Sequence, residues 1–130
     1  MTPARVIVEL ARAGKPVSFV ARGGSMWPAI RSGSLVELRP CDPRSLEDGD
    51  LAGFERDGEV VVHRVVGRGE GTLTFRGDAL PHADGAVALE RVLGRARVLR
   101  ARPLRLRWPG AVHLVRIARA LRGVLPARRT

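Results

Sequence analysis

Short runs of apolar and β-branched residues alternate with glycine, proline and aspartate along most of the chain. Runs of this length, separated by turn residues, predict many short strands joined by tight turns. We therefore expect a mainly β domain, folded as a compact β-barrel or coiled β-sheet. The runs lie between about residues 17 and 99 and read VSFVA, LVELRP, DLAGFE, EVVVHRVVG, LTFRG and VALERVLGRARVL.

The connections between these runs carry recognisable turn chemistry. Asp57-Gly58 separates two strand patterns and is a typical hairpin turn, so we expect neighbouring strands to follow one another as a meander. Residues 40–50 contain two prolines and several polar residues, which predicts a loop with one helical turn.

Two helical patterns flank the strands. Residues 4–13 place apolar side chains on one face of a short helix that ends at Gly14 and covers the core. Residues 111–125 place His113 and three arginines at intervals of three among apolar residues, which predicts a basic amphipathic helix.

Length and composition fit a single folded domain. The chain has 130 residues, of which 45% are hydrophobic and 28% charged, as in soluble globular proteins. The one cysteine, Cys41, excludes an intramolecular disulfide, and no Cys and His set has the spacing of zinc ligands. We expect a domain over residues 1–100 with no metal or other cofactor, and an arginine-rich extension over residues 101–130.

The positive charge is confined to the end of the chain. Residues 1–94 carry 12 Lys and Arg against 13 Asp and Glu, whereas residues 95–130 carry 11 Arg and no acidic residue. A neutral domain argues against nucleic acid as its partner. The extension has two interpretations: a helix docked on the barrel with a solvated basic face, or a helix that meets an anionic membrane or an acidic protein.

The sequence has no window resembling a membrane span. None approaches the roughly 18 apolar residues of a spanning helix, and the first residues lack the pattern of a secretory signal. We expect a cytoplasmic protein, and the extension is the part that would meet the inner face of the membrane under the second interpretation.

The segment RGGSMWPAI presents a serine in a distinctive setting. Gly23 and Gly24 allow the backbone to turn tightly before Ser25, and Pro28 fixes the direction in which the chain leaves. A serine held this way is exposed as a nucleophile would be, although a serine after two glycines is more often a turn residue or helix cap.

A serine nucleophile needs a base, and the base needs a group that orients it. His63 lies within the strand pattern VVVHRVV, and Asp78 and Asp84 follow the pattern LTF. Lys15, the one lysine, lies between the first helix and the first strand, which makes it a poor candidate base. A lone histidine in an apolar strand is usually a core residue, so these residue types alone leave a Ser-His-Asp site as one possibility.

The order of four motifs makes the combination more specific. The motifs are Ser-Met-x-Pro with a later glycine (Ser25, Met26, Pro28, Gly33), Gly-Asp at the start of a strand (Gly49, Asp50), His-Arg-Val (His63, Arg64, Val65), and Gly-Asp with a later aspartate (Gly77, Asp78, Asp84). Over about residues 17–99 this series resembles the clan of serine peptidases that includes signal peptidases and the self-cleaving domains of LexA-like repressors.

The resemblance implies a role for each site residue. Ser25 would be the nucleophile, His63 the general base, and Asp78 or Asp84 the carboxylate that orients the imidazole. A histidine base is similar to the endoplasmic-reticulum and archaeal type, because most bacterial signal peptidases and LexA-like proteins use lysine. The turn around the serine would bind the oxyanion and the substrate, through the Ser25 amide and the residues Gly23, Gly24, Met26 and Pro28.

The expected function is that of a short signal-peptidase-like serine endopeptidase without a membrane anchor. Its partner would be a peptide or protein from which it removes a leader, a propeptide or a signal-like segment. Many relatives have a serine two positions before the nucleophile, where this chain has Gly23. The alternatives are a peptide-binding module without catalysis on the same fold and a LexA-like regulatory protein.

The charge distribution yields a prediction about the extension. If residues 104–130 contact anionic membrane, the full chain should co-sediment with vesicles that contain phosphatidylserine, and deletion of these residues should release it. Binding that is indifferent to the deletion would refute the membrane interpretation of the extension.

Overall fold

The computed structural model describes residues 2–101, which form one α-helix and seven strands. The strands form a single antiparallel sheet in the order β1-β2-β7-β3-β4-β5-β6, which curls into an open half-barrel. The prediction of a mainly β domain with a coiled sheet is confirmed. The predicted helix at residues 111–125 lies outside the described residues. The elements are α1 (Pro3–Arg12), β1 (Val17–Val20), β2 (Leu35–Arg39), β3 (Leu51–Arg56), β4 (Glu59–Gly69), β5 (Thr72–Arg76), β6 (Gly85–Ala88) and β7 (Val92–Arg100).

The last apolar run of the sequence contains two strands. A 3₁₀ turn at Leu89–Arg91 separates β6 from β7. Strands β3 to β6 follow one another as the expected meander, but β7 returns across the sheet and pairs between β2 and β3. The expectation of a meander therefore holds for only one half of the sheet.

The predicted turns have the expected backbone geometry. Asp57 and Gly58 both have positive φ, at 52° and 79°, as a two-residue type I′ hairpin requires. The loop over residues 40–50 contains one 3₁₀ turn at Pro43–Ser45, and the Asp42 side chain caps it by accepting a hydrogen bond from the Arg44 amide.

Helix α1 begins and ends as its sequence predicts. The Thr2 side chain accepts a hydrogen bond from the Arg5 amide, and the helix ends before Gly14, which has a φ of 77°. Val8 and Ala11 are buried against the sheet. No helix among residues 2–101 is long and apolar enough to cross a membrane.

The core consists of two apolar clusters, and each contacts one part of the site described below. The first contains Met26, the neighbour of Ser25, and the second contains Phe54, whose ring meets His63 edge-on. The first cluster comprises Val8, Ala11, Met26, Ile30, Val36, Leu38, Leu93 and Ala96, and the second Leu46, Ala52, Phe54, Val65, Leu73, Phe75, Val87 and Val92.

The close approach of β7 to the end of β2 predicts the effect of a glycine substitution. A Cβ atom at Gly94 would lie 2.4 Å from the carbonyl oxygen of Arg39, and the φ of 154° strains any side chain there. Gly94→Ala should lower the free energy of unfolding by about 2–4 kcal/mol in a urea titration.

The strand glycine Gly67 supplies the matched control. A Cβ atom at Gly67 would lie 3.8 Å from the Thr74 Cβ, which is an ordinary contact distance. Gly67→Ala should therefore lower the free energy of unfolding by less than about 1 kcal/mol. Equal stability of the two variants would contradict the close packing of β7 against Arg39.

Candidate active site

Ser25 lies in the turn that connects β1 and β2, and that turn is fixed at several points. Gly23 has a φ of 85°, which lets the chain reverse direction, and the Trp27 amide donates a hydrogen bond to the Gly24 carbonyl at 3.1 Å. The Ala79 amide donates to the Ser25 carbonyl at 2.9 Å. The backbone of Ser25 is thus held against the loop that follows β5.

Met26 anchors the same turn from below. Its side chain is buried in the first core cluster, and its sulfur accepts a hydrogen bond from the Asp78 amide at 3.3 Å. Ser25, the residue before it, is half-buried and borders the cleft described below.

His63 faces this hydroxyl from the middle of β4. The imidazole is buried, and its Nε2 atom lies 3.0 Å from the Ser25 Oγ. The Phe54 ring packs against it at 6.1 Å between centroids. The buried ring directs its Nε2 edge at Ser25.

Asp84 binds the other nitrogen of the imidazole. Its Oδ2 lies 2.5 Å from His63 Nδ1, and its side chain is only 8% exposed. The Asp84 amide donates to the Phe75 carbonyl at 2.7 Å, which ties this loop residue to the end of β5. Arg56 donates to the second carboxylate oxygen, Oδ1, at 2.9 Å.

These contacts determine which imidazole nitrogen can act as a base. An ionised carboxylate only accepts hydrogen bonds, so the neutral imidazole carries its proton on Nδ1 and donates it to Asp84. Nε2 then has a lone pair directed at the Ser25 hydroxyl. This arrangement can remove the hydroxyl proton when Ser25 attacks an electrophile.

Asp78, the other candidate carboxylate, has a different partner. Both its oxygens accept hydrogen bonds from Arg64, at 2.9 and 2.8 Å, in a bidentate ion pair. The hydrogen bond from Arg64 holds the pKa of the Asp78 carboxyl below its usual range, against the partial burial that raises it. The structure therefore brings Ser25, His63 and Asp84 together and places Asp78 beside Arg64.

Gly77, the first residue of the same Gly-Asp motif, is required by space. A Cβ atom there would lie 2.7 Å from the Ser25 carbonyl oxygen and 3.0 Å from His63 Nε2. Any side chain at this position would displace the serine turn or the imidazole. The Gly-Asp motif thus supports the site in two ways: Gly77 leaves space for the serine turn and the imidazole, and Asp78 forms an ion pair with Arg64.

The Ser25 hydroxyl and the His63 ring open into a cleft of about 230 Å³. Phe19 and Ala21 border it on the side of β1, and Val60 to Val62 border it on the side of β4. Of the residues expected to bind the oxyanion and the substrate, Gly23 and Met26 line the cleft, and Gly24 and Pro28 do not.

Two strand edges beside the cleft have no partner strand among residues 2–101. Strand β1 pairs only with β2, and β5 begins to pair with β4 at Arg64, so residues 59–63 of β4 pair only with β3. Each edge presents backbone N–H and C=O groups that a further strand could use.

Arg56 also contacts the site, although nothing in its sequence setting indicates this. It ends β3 directly before the Asp57-Gly58 turn, where an arginine resembles an ordinary solvated hairpin residue. Its guanidinium lies 5.8 Å from the centroid of the Phe54 ring as well as on Asp84. The contact forms because the loop after β5 packs back against the β3–β4 hairpin, and this packing is visible only in the three-dimensional structure.

Comparison with known proteins adds no assignment. No protein-family model matches the chain, and no curated protein matches it at a significant level.

The Arg64–Asp78 pair predicts a pH-dependent contribution to stability. Because the folded-state pKa of Asp78 lies below its ordinary value of 3.8, the ion pair stabilises the fold fully above that value and is lost as the pH falls through the lower folded-state pKa. Asp78→Asn should therefore be less stable than the parent at neutral pH, and the two should converge in strong acid.

Urea titrations across this pH range test the prediction, with Asp48→Asn as a control that removes an exposed carboxylate without an ion pair among the described residues. The control should follow the parent curve. A constant difference between Asp78→Asn and the parent at every pH would show that ionisation of Asp78 contributes nothing.

Proposed function

We propose that the protein is a serine endopeptidase of the signal-peptidase type, with Ser25 as nucleophile, His63 as general base and Asp84 as the orienting carboxylate. The observation that carries the proposal is the pair of hydrogen bonds, 3.0 Å from Ser25 to His63 and 2.5 Å from His63 to Asp84. The three residues come from separate segments: Ser25 and His63 line the cleft, and Asp84 lies on the Nδ1 side of the imidazole. The curled sheet agrees with the resemblance of the motifs to that clan.

The reaction follows from the positions of the protons. As Ser25 Oγ bonds to the peptide carbonyl carbon, its proton passes to His63 Nε2, and the Asp84 carboxylate stabilises the imidazolium. His63 then gives the proton to the departing amine, and the peptide bond breaks to leave an ester on Ser25. A water molecule, deprotonated by His63, hydrolyses the ester and frees the serine.

The turn supplies the group that would stabilise the oxyanion. The Ser25 backbone amide is adjacent to the attacking oxygen, and the hydrogen bond from the Trp27 amide to the Gly24 carbonyl fixes the peptide unit that contains the Ser25 N–H. Donors fixed before the reaction lower the free energy of the charged intermediate without reorganisation.

The unpaired strand edges suit an extended peptide as substrate. The amide and carbonyl of Ala21 bond to Ser34 and Gly33 on the side of β2. Hydrogen bonding alternates along an antiparallel strand, so the backbone groups of Val20 point away from β2. A peptide that adds as a strand beside β1 would pass Ser25 with its main chain held by β1. A leader, a propeptide or a signal-like segment is flexible enough to do so.

Internally quenched peptides with a randomised core test the proposal. Ser25→Ala and His63→Ala should abolish cleavage, and Asp84→Asn should reduce kcat by roughly 10³–10⁴ because the imidazole loses its orienting acceptor. All three variants should keep the thermal stability of the parent to within a few degrees.

Asp78→Asn provides the matched control, because it makes the same chemical change at the aspartate that binds Arg64. It should retain kcat within about tenfold of the parent at pH 7. Unchanged cleavage by Ser25→Ala, or a larger loss in Asp78→Asn than in Asp84→Asn, would contradict the proposed roles.

A peptide-binding module without turnover is the second candidate, and Gly23 is the observation that favours it. Many members of the clan have a serine two residues before the nucleophile, and this chain lacks its hydroxyl. Apart from its neighbours in the chain, no atom of the described residues would lie within 4 Å of a Cβ atom at Gly23, so no other group takes the place of a side chain there. Loss of one oxyanion donor costs about 3–4 kcal/mol in other hydrolases. Peptide binding by the parent chain without cleavage would favour this candidate.

A further inference from the structure

The charged side chains that line the cleft are both cationic. They are Arg22 and Arg56, and no aspartate or glutamate among the described residues lines the cleft. Asp84, which contacts His63 and Arg56 of this lining, is almost fully buried and has both oxygens engaged by these two residues. A ligand in the cleft would therefore meet positive charge and no exposed negative charge.

The two arginines differ in how far their charge is compensated. Arg56 forms an ion pair with Asp84 at 2.9 Å. Arg22 is exposed and makes no ion pair or hydrogen bond through its side chain with any residue of 2–101. Most other arginines of the fold pair with a carboxylate or a backbone carbonyl, so an uncompensated guanidinium at the edge of the cleft is a distinguishing feature.

We propose that the cleft selects a peptide segment that carries an aspartate or glutamate close to the bond that faces Ser25, and that Arg22 binds this carboxylate. The inference rests on the proposed function only in taking a peptide as the ligand of the cleft. A guanidinium matches a carboxylate with two parallel hydrogen bonds, and it repels lysine and arginine side chains.

The position of Arg22 limits where the acidic residue would lie. Arg22 follows β1 and stands three residues before Ser25. An extended peptide advances about 3.3 Å per residue. A peptide beside β1 would therefore bring an acidic side chain to Arg22 when that residue lies within about four positions of the bond that faces Ser25. The apolar lining from Phe19, Val60 and Val62 would accept small apolar side chains at other positions.

Fluorescence polarisation with three matched peptides tests the inference. The peptides are Ala-Val-Ala-Glu-Ala-Val-Ala and its Gln and Lys counterparts at the central position, each with the same uncharged dye. The protein is the full chain with Ser25→Ala, so that no peptide is cleaved during the measurement. We expect the Glu peptide to bind about fivefold tighter than the Gln peptide, the Lys peptide to bind most weakly, and the preference to fall with added salt.

Substitutions of Arg22 locate the selectivity. Arg22→Gln should remove the preference for Glu over Gln, Arg22→Lys should keep most of it, and Arg22→Glu should invert it in favour of the Lys peptide. Arg100→Gln is the matched control, because Arg100 is also an exposed arginine without a described side-chain partner but lies on β7 and does not line the cleft. It should leave the preference intact, which excludes a general effect of removing one exposed arginine.

Two results would overturn the inference: equal or absent binding of the three peptides, or a preference for Glu that survives Arg22→Gln. Its failure can be told apart from failure of the peptidase proposal. Cleavage of peptides without an acidic preference would keep the peptidase and reject the role of Arg22. An Arg22-dependent preference in a parent chain that cleaves nothing would keep the role of Arg22 and reject the peptidase.

Discussion

The site depends on one buried carboxylate. Each oxygen of Asp84 has its own cation or donor, His63 on one side and Arg56 on the other, and its backbone is tied to the end of β5. Because the carboxylate cannot rotate without breaking one of these contacts, it fixes both the proton and the plane of the imidazole. The position of the His63 Nε2 atom, 3.0 Å from Ser25, follows from that constraint.

The cleft exists because the sheet does not close into a complete barrel. Strand β1 pairs only with β2 and therefore lies at the edge of the sheet, and β5 pairs only with the second half of β4. The resulting gap exposes the hydroxyl of Ser25 and two rows of backbone groups. Closure of the barrel by a further pair of strands would satisfy those groups but would cover the cleft. A peptide ligand would complete the sheet for the time that it is bound.

Local patterns in the sequence predicted the elements but not every contact between them. Asp57-Gly58 predicted its hairpin because two positive φ angles suit few other residue pairs, and Gly14 marked the end of α1 for a related reason. The division of one apolar run into β6 and β7 escaped prediction, since a single 3₁₀ turn leaves no clear signal in the sequence. The return of β7 to the centre of the sheet is a property of tertiary packing.

The same limit applies to the candidate site. Ser25 and His63 could be chosen from their settings and their order, but the sequence left Asp78 and Asp84 as equal candidates for the third position. The fold distinguishes them: Arg64 forms an ion pair with Asp78, and the loop after β5 brings Asp84 to the imidazole. Arg56 had no signal of its own, because its partner lies 28 positions away in the sequence.

The most direct test of the account is covalent labelling of the folded chain with a fluorophosphonate, which phosphonylates serines activated by a neighbouring base. Mass spectrometry of the digested protein should find one adduct, on Ser25, and the adduct should disappear in His63→Ala while Asp78→Asn keeps it. An intact, folded chain that takes up no label at Ser25, or that labels equally well in His63→Ala, would contradict the claim that His63 activates this serine.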